Sequence, residues 1–141
     1  MKICAVDTCV LMRLATGAPL DLYQKTIGAL ETLLKSHAGL RIVVHNIAIG
    51  ESYISLQKHY GFSKPESRAA LVGALTSGLI EPLDGQPVLD VITQASAGGA
   101  GLIDRLIVLD SQIRQTIPLY TTDRDLAKVT DAVLLFSLAK A

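Results

Sequence analysis

Short apolar segments alternate with longer amphipathic ones along this 141-residue chain, and this alternation constrains the fold more than any other feature. The apolar segments predict strands at residues 2–6, 41–44, 118–121 and 132–136, with a shorter extended piece at 79–83. These segments lack a regular apolar–polar alternation, which is typical of strands that are covered on both faces. Strands that alternate with helices predict an α/β sandwich with a mostly parallel central sheet.

The predicted helices are marked by hydrophobic spacing and by turn residues at their ends. Ile27, Leu30 and Leu34 follow an i, i+3, i+7 pattern, as in an amphipathic helix. Asn46 is a candidate N-cap, and Pro65 suits the first turn of a helix. The length favours one domain, 1–141. The predicted helices are 8–14, 21–37, 47–60, 64–75, 87–95, 102–116 and 123–129.

The composition limits which classes of protein this chain can belong to. Half of the residues are apolar, the mean hydropathy is +0.40 and the formal net charge is zero. The apolar content favours a sizeable core and a subunit interface, whereas many nucleic-acid binders are strongly basic. Any contact with a nucleic acid must therefore depend on local basic clusters or on bound cations.

The cysteines and the hydropathy pattern favour a cytoplasmic protein. Cys4 and Cys9 are too close in sequence for a useful disulfide, which fits a reducing compartment. Asp7 interrupts the apolar run that follows Lys2, so a secretory signal is not expected. The chain has no apolar run of the length that a membrane span needs, so no membrane partner is expected either.

Four carboxylates occupy related places in the predicted sheet. Asp7 directly follows the first strand, and Asp123 follows the strand at 118–121. Glu51 lies early in the helix after the second strand, and Asp104 lies early in the helix after a glycine-rich loop. In a parallel α/β sheet, ligands bind outside the carboxyl ends of the strands, where the following helices begin. We therefore expect all four side chains to converge at this edge.

Converging carboxylates require a positive partner. They repel each other and raise each other's pKa, and the sequence does not supply four matching lysine or arginine side chains. A hard divalent cation such as Mg²⁺ or Mn²⁺ prefers oxygen ligands and relieves the repulsion. Such ions support phosphodiester hydrolysis, because they activate water and stabilise the leaving oxygen.

These motifs together resemble the PIN-domain family, and most closely the VapC-type toxin ribonucleases of type II toxin–antitoxin systems. The family opens with Asp-Thr-Asn-hydrophobic-Leu after a strand, and this chain has DTCVL from Asp7. Its helical Glu is matched by Glu51, its next Asp by Asp104 in GLIDRLI, and its final Thr-x-Asp by TTD ending at Asp123. Cys9 stands where the family usually has Asn, which leaves open whether the hydrogen bonding around Asp7 is weakened.

The resemblance covers nearly the whole chain and implies a fold, an activity and partners. The implied fold is a three-layer α/β/α sandwich formed by a single PIN-like domain. The implied activity is that of a Mg²⁺- or Mn²⁺-dependent endoribonuclease, with Asp7, Glu51, Asp104 and Asp123 as catalytic residues and metal ligands. RNA is then the substrate, and the protein is expected to be a homodimer that a small antitoxin protein inhibits.

Further residues have predicted supporting roles beside the four carboxylates. Thr8 and Thr121 are candidates to hydrogen-bond the carboxylates. Asp125 is either a secondary ligand or a surface residue. Arg13 and Arg105 are candidates to contact phosphate. The role of Asp110 stays open between an inward polar partner and a dimer contact, and the three histidines, His37, His45 and His59, are expected to be structural or on the surface.

Two other functions stay open from the sequence alone. An Asp after the first strand is also the nucleophile of haloacid-dehalogenase-like phosphate enzymes, which have a second Asp two residues later. Cys9 occupies that position, so the second Asp is missing from this other kind of Asp7-centred phosphate-ester hydrolase. The apolar composition and neutral charge also allow a catalytically weak or inactive interaction domain of the PIN fold.

Overall fold

The structure is a computed structural model, and it describes residues 2–94 and 99–137. The chain divides into two compact units, Met1–Thr93 and Gln94–Ala141. Both units combine helices with short parallel strands, so the α/β class is confirmed. The single domain stays a prediction, because compact units of this size also occur as parts of one domain.

A parallel three-stranded sheet organises the first unit. Its strands are β1 (Ile3–Val6), β2 (Arg41–Val44) and β3 (Glu81–Pro82), in the order β1-β2-β3. The central strand β2 is buried from Ile42 to Val44, which explains its continuous apolar run. Because all three strands are parallel, their carboxyl ends lie at the same edge, and the segments that follow them start there.

Five helices connect or follow these strands, close to where the sequence predicts them. They are α1 (Thr8–Thr16), α2 (Leu20–Ser36), α3 (Asn46–Tyr60), α4 (Lys64–Leu75) and α5 (Gln86–Gln94). Gly17 ends α1 and Gly61 ends α3, both in the left-handed conformation that glycine adopts at little cost.

The core of the first unit forms where α1, α3 and α4 pack against one another. Leu11, Leu56 and Leu71 each come from a different one of these helices, and all three are completely buried. Burying a leucine contributes about 1.5–3 kcal/mol to folding. This packing fixes α1 and α3 side by side as they leave the carboxyl edge of the sheet.

The second unit contains one helix, α6 (Leu102–Ile113), and a parallel strand pair, β4 (Leu119–Thr121) and β5 (Ala132–Leu134), within its described residues 99–137. Val108, Leu126 and Ala132 lie in its small core, and Leu119 packs against them. The predicted helix 102–116 ends at Ile113 because Gln115 takes a positive φ of 58°. Residues 97 and 98 of the predicted glycine-rich loop lie outside the described residues.

Two local predictions were wrong. The segment 123–129 is not a short α-helix, since only a 3₁₀ turn at Leu126–Lys128 forms there. Asn46 is not the N-cap of α3, because His45 has that position and Asn46 is the first helical residue. Within the described ranges, no helix is both long enough and apolar enough to cross a membrane.

Candidate functional site

Asp7 lies at the junction between β1 and α1, where two elements hold it. Its backbone is extended, with φ −94° and ψ −175°, and it is the N-cap of α1. One carboxylate oxygen, Oδ1, accepts a hydrogen bond from the backbone N–H of Val10 over 3.2 Å. The capping role and a role in chemistry are compatible, because Asp7 is exposed and its carboxylate has a second oxygen.

Glu51 projects from the exposed side of α3. The sequence places it on a helical face with Ile47 and Ile54, and that face is turned to solvent: Ile47 is 85% exposed and Ile54 is 41% exposed. The buried face of α3 instead carries Tyr53 and Leu56. Glu51 therefore lies beside an apolar stripe, as the spacing predicts, but it is not a buried carboxylate that needs a protein partner.

Asp7 and Glu51 line one and the same cavity, which we call the acidic cavity. It has a volume of about 480 Å³ and lies at the carboxyl ends of β1 and β2. Thr8 also lines it, beside Asp7. The structure thus brings together the two predicted carboxylates that belong to the first unit. The acidic cavity is lined by Ala5, Val6, Asp7, Thr8, His45, Ile47, Ala48 and Glu51.

His45 is a member of the acidic cavity that the sequence analysis missed. It follows β2 directly, and its side chain is exposed and makes no capping hydrogen bond. The rule that singles out Asp7, namely a polar residue immediately after a parallel strand, applies equally to His45. Its imidazole adds a donor or acceptor next to the two carboxylates, according to its protonation.

The oxygen atoms of the acidic cavity suit a magnesium or manganese ion. Mg²⁺ commonly binds through one or two carboxylates and fills its other positions with waters and substrate phosphates. Asp7 and Glu51 provide two such carboxylates from separate elements. Among residues 2–94 and 99–137, no three or more Asp, Glu, His or Cys side chains form a group that could hold a metal ion.

In the second unit, Asp104 lies in the first turn of α6 and is half-buried. Gly101, the N-cap, has no side chain that could cap this helix. The carboxylate of Asp104 in the first turn is favoured by the positive end of the helix dipole. The neighbouring Arg105 donates from Nε to the backbone carbonyl of Ala100 over 3.1 Å. That bond secures the start of α6, while the phosphate contact of Arg105 stays a prediction.

Asp123 organises a turn after β4. Its Oδ1 accepts hydrogen bonds from the backbone N–H of Asp125 over 2.8 Å and of Leu126 over 3.4 Å. Thr121 Oγ1 accepts from the backbone N–H of Asp123 over 3.0 Å, so this hydroxyl holds the backbone at Asp123. Asp125 forms an exposed ion pair with Lys128 at 3.6 Å, which fits the surface role predicted as one of its alternatives.

Comparisons with protein-family models, with curated proteins and with solved structures found no match for the chain. The candidate site is therefore defined by its own geometry. In the first unit, the candidate site is a cavity at the edge of a parallel sheet. The lining of this cavity includes two carboxylates, a threonine and a histidine.

Proposed function

We propose that the chain is a Mg²⁺- or Mn²⁺-dependent endoribonuclease of the PIN-domain type. The observation that supports this proposal most directly is that Asp7 and Glu51 line one cavity at the carboxyl edge of a parallel sheet. Two carboxylates repel a phosphodiester unless a cation neutralises them, so a polyanionic substrate requires a metal at this place.

The full proposal includes the second unit and a complete fold. We propose a three-layer α/β/α sandwich with a mostly parallel sheet, and we propose Asp104 and Asp123 as further catalytic carboxylates. The proposal is supported by the position of Asp123, which lies two residues after the end of β4, much as Asp7 lies one residue after the end of β1. By the same resemblance we propose a homodimer, a cytoplasmic location and a small antitoxin partner.

The protein's own residues then have distinct tasks. Asp7 and Glu51 would hold the cation, and the hydrogen bond from the backbone of Val10 orients the Asp7 carboxylate. When bound, the cation activates water and stabilises charge on the phosphate and on the leaving oxygen. Thr8 supplies a hydroxyl at the cavity wall beside Asp7, where it can donate to a carboxylate or a phosphate oxygen.

The test of the proposal is cleavage of single-stranded RNA by the full chain with Mg²⁺ or Mn²⁺. We expect cleavage that stops with EDTA and in the Asp7→Asn variant. Asn is as good an N-cap as Asp, so this variant removes the charge while it keeps the start of α1. Cleavage that survives both EDTA and Asp7→Asn would exclude this mechanism.

Metal binding separates the nuclease from an inactive interaction domain of the same fold. Calorimetry with Mn²⁺ should show binding to the unmodified chain and much weaker binding to Asp7→Asn. A chain that neither binds Mn²⁺ at millimolar concentration nor cleaves RNA would instead be an interaction domain. Size-exclusion chromatography with light scattering tests the proposed homodimer in the same samples.

A further inference from the structure

A second cavity adjoins the acidic cavity, and we call it the basic cavity. It has a volume of about 470 Å³ and lies where α1 and the turn that follows it face α3. Thr8 lines both cavities, so they meet at the start of α1. Arg13 of α1 gives the basic cavity a cationic side chain, and His59 of α3 lines it as well.

The lining residues on α1 and α3 show that the basic cavity lies farther along both helices than the acidic cavity does. On α3, Glu51 lines the acidic cavity, while Ser55 and His59 line the basic one, and residues four apart share a helical face. On α1, Thr8 and Arg13 lie about 7.5 Å apart along the helix axis, from the rise per residue. Both helices begin at the carboxyl edge of the sheet. The two cavities therefore form one groove, which runs from that edge along α1 and α3.

The charges of the two cavities are opposite. Among the residues that the structure describes, no Asp or Glu lines the basic cavity, and no Lys or Arg lines the acidic one. Within residues 2–94 and 99–137, the guanidinium of Arg13 forms no ion pair, although Arg13 is half-buried. A half-buried guanidinium without a carboxylate partner suits a phosphate, which it can bind through two parallel hydrogen bonds.

An aromatic ring completes the basic cavity. Tyr60 lines it and is 46% exposed, so its ring is available to a ligand. Phe62 contacts this ring edge to face, with centroids 6.3 Å apart and an interplanar angle of 76°. That contact restrains the Tyr60 ring at the cavity, and such rings are platforms on which nucleic-acid bases stack.

We propose that the basic cavity binds the nucleotide that neighbours the scissile phosphate of a single-stranded RNA. Arg13 contacts the phosphate of that nucleotide, and Tyr60 stacks on its base. The inference rests on the proposed ribonuclease function, because it requires that the scissile phosphate enter the acidic cavity. A polynucleotide suits this groove better than a protein segment does, since it presents a phosphate and a base one nucleotide step from the reacting group.

The test measures binding of a fluorescein-labelled, single-stranded oligouridine to the full-length Asp7→Asn protein in Mg²⁺, by fluorescence anisotropy. In this background, Arg13→Gln should raise Kd about tenfold or more, as expected for a lost charge-assisted hydrogen bond. It should also make the slope of log Kd against log salt smaller by about 0.7, the value for one phosphate contact on a single strand. Lys35→Gln removes the same charge at the exposed last turn of α2 and should change Kd less than twofold.

The aromatic contact has its own pair of variants. Tyr60→Ala should raise Kd about fivefold or more, whereas Tyr60→Phe keeps the ring and should bind nearly as the Asp7→Asn protein does. Cross-linking of a 4-thiouridine oligonucleotide to the peptide that contains Tyr60 locates the base without any change to the cavity. Circular dichroism of each variant confirms that a weaker Kd does not come from unfolding.

The possible outcomes separate the inference from the function on which it rests. RNA that binds the Arg13→Gln, Tyr60→Ala and Lys35→Gln variants equally well would overturn the inference, and would favour a protein segment in the groove. Binding that depends on Arg13 and Tyr60, in a chain that does not cleave RNA, would support the nucleotide site and overturn the nuclease. A 4-thiouridine oligonucleotide that does not cross-link to the peptide containing Tyr60, in a chain that cleaves RNA, would overturn the inference and leave the nuclease in place.

Discussion

The side-chain amide of Asn46 donates a hydrogen bond from Nδ2 to Asp84 Oδ2 over 2.9 Å. Asn46 is the buried first residue of α3, and Asp84 follows β3, so the bond connects two neighbouring segments at the carboxyl edge of the sheet. The backbone N–H of Leu83 donates to the carbonyl of Val44 over 3.0 Å and strengthens the same connection. The start of α3, and with it Glu51, is thereby anchored to the sheet.

Removing this hydrogen bond should destabilise the protein measurably. We expect Asn46→Ala to lower the free energy of unfolding by about 1–3 kcal/mol, because it leaves the half-buried Asp84 carboxylate without this donor. Asp84→Asn should cost less, since an amide oxygen can still accept from Asn46. Urea denaturation of the three proteins checks this order, and a greater loss for Asp84→Asn would contradict it.

The positions of the helices and strands could be predicted because local signals and the final structure agree. The helix predicted at 47–60 forms as Asn46–Tyr60, since Gly61 can adopt the left-handed conformation that ends it. The helix predicted at 123–129 is shortened to the 3₁₀ turn at Leu126–Lys128, because the backbone is already extended at Val129, with φ −76° and ψ 141°. The apolar spacing of this segment does not reveal where its backbone leaves the helical conformation.

Only part of the site could be predicted. The prediction from the strand edges concerned Asp7, at the end of β1, and Glu51, early in the helix after β2, and both line the acidic cavity because these two strands are parallel and paired. The bond between Asn46 and Asp84 joins residues that are far apart in sequence, so no local pattern could indicate it. The convergence of Asp104 with these carboxylates stays a prediction, as does that of Asp123.

Two substitutions of Asp7 should separate its capping role from its chemistry. Asp7→Asn should leave the free energy of unfolding nearly unchanged, whereas Asp7→Ala should lower it by about 0.5–2 kcal/mol through loss of the bond to Val10 N–H. Both variants should lose metal-dependent RNA cleavage. Chemical denaturation and a cleavage assay on the same samples check this, and activity in Asp7→Asn would show that the negative charge is not required.

Two substitutions of Asp123, in the second unit, should separate its charge from its role as a hydrogen-bond acceptor. Asp123→Ala removes the acceptor of two backbone N–H groups and should destabilise the turn at 123–126 by about 0.5–1.5 kcal/mol. Asp123→Asn keeps an acceptor oxygen and should cost less. Hydrogen exchange at the amides of Asp125 and Leu126 measures the effect locally, and equal protection in the Ala and Asn variants would contradict the role of this oxygen.

The metal affinity of the acidic cavity should depend on Glu51. We expect Glu51→Gln to weaken Mn²⁺ binding about tenfold or more with little change in stability, because the side chain is exposed. Glu31→Gln, at an exposed position of α2, is the matched loss of charge and should leave Mn²⁺ affinity unchanged. Calorimetric titration with Mn²⁺ measures the affinity of each variant, and equal affinities for the two variants would exclude Glu51 as a ligand.

The stability of α4 should depend on pH through Glu66. The backbone N–H of Ser63 donates to Glu66 Oε1 over 2.9 Å, and Ser63 Oγ accepts from the Glu66 N–H over 3.1 Å, which together form a capping box. The bond from the Ser63 backbone is the main reason that the pKa of Glu66 lies below its ordinary value, and the Ser63 side chain lowers it further. The folded protein therefore prefers the ionised carboxylate.

The direction of the pH effect follows from that lowered pKa. The stability that Glu66 contributes is fully present above the ordinary carboxyl pKa and is lost as the pH falls through the lowered value. We expect the Tm of Glu66→Ala to lie below that of the unmodified chain at neutral pH. The difference between the two Tm values should shrink as the solution is acidified through the carboxyl range. Thermal unfolding followed by circular dichroism measures it, and a difference that stays constant or grows on acidification would contradict the capping role of the ionised side chain.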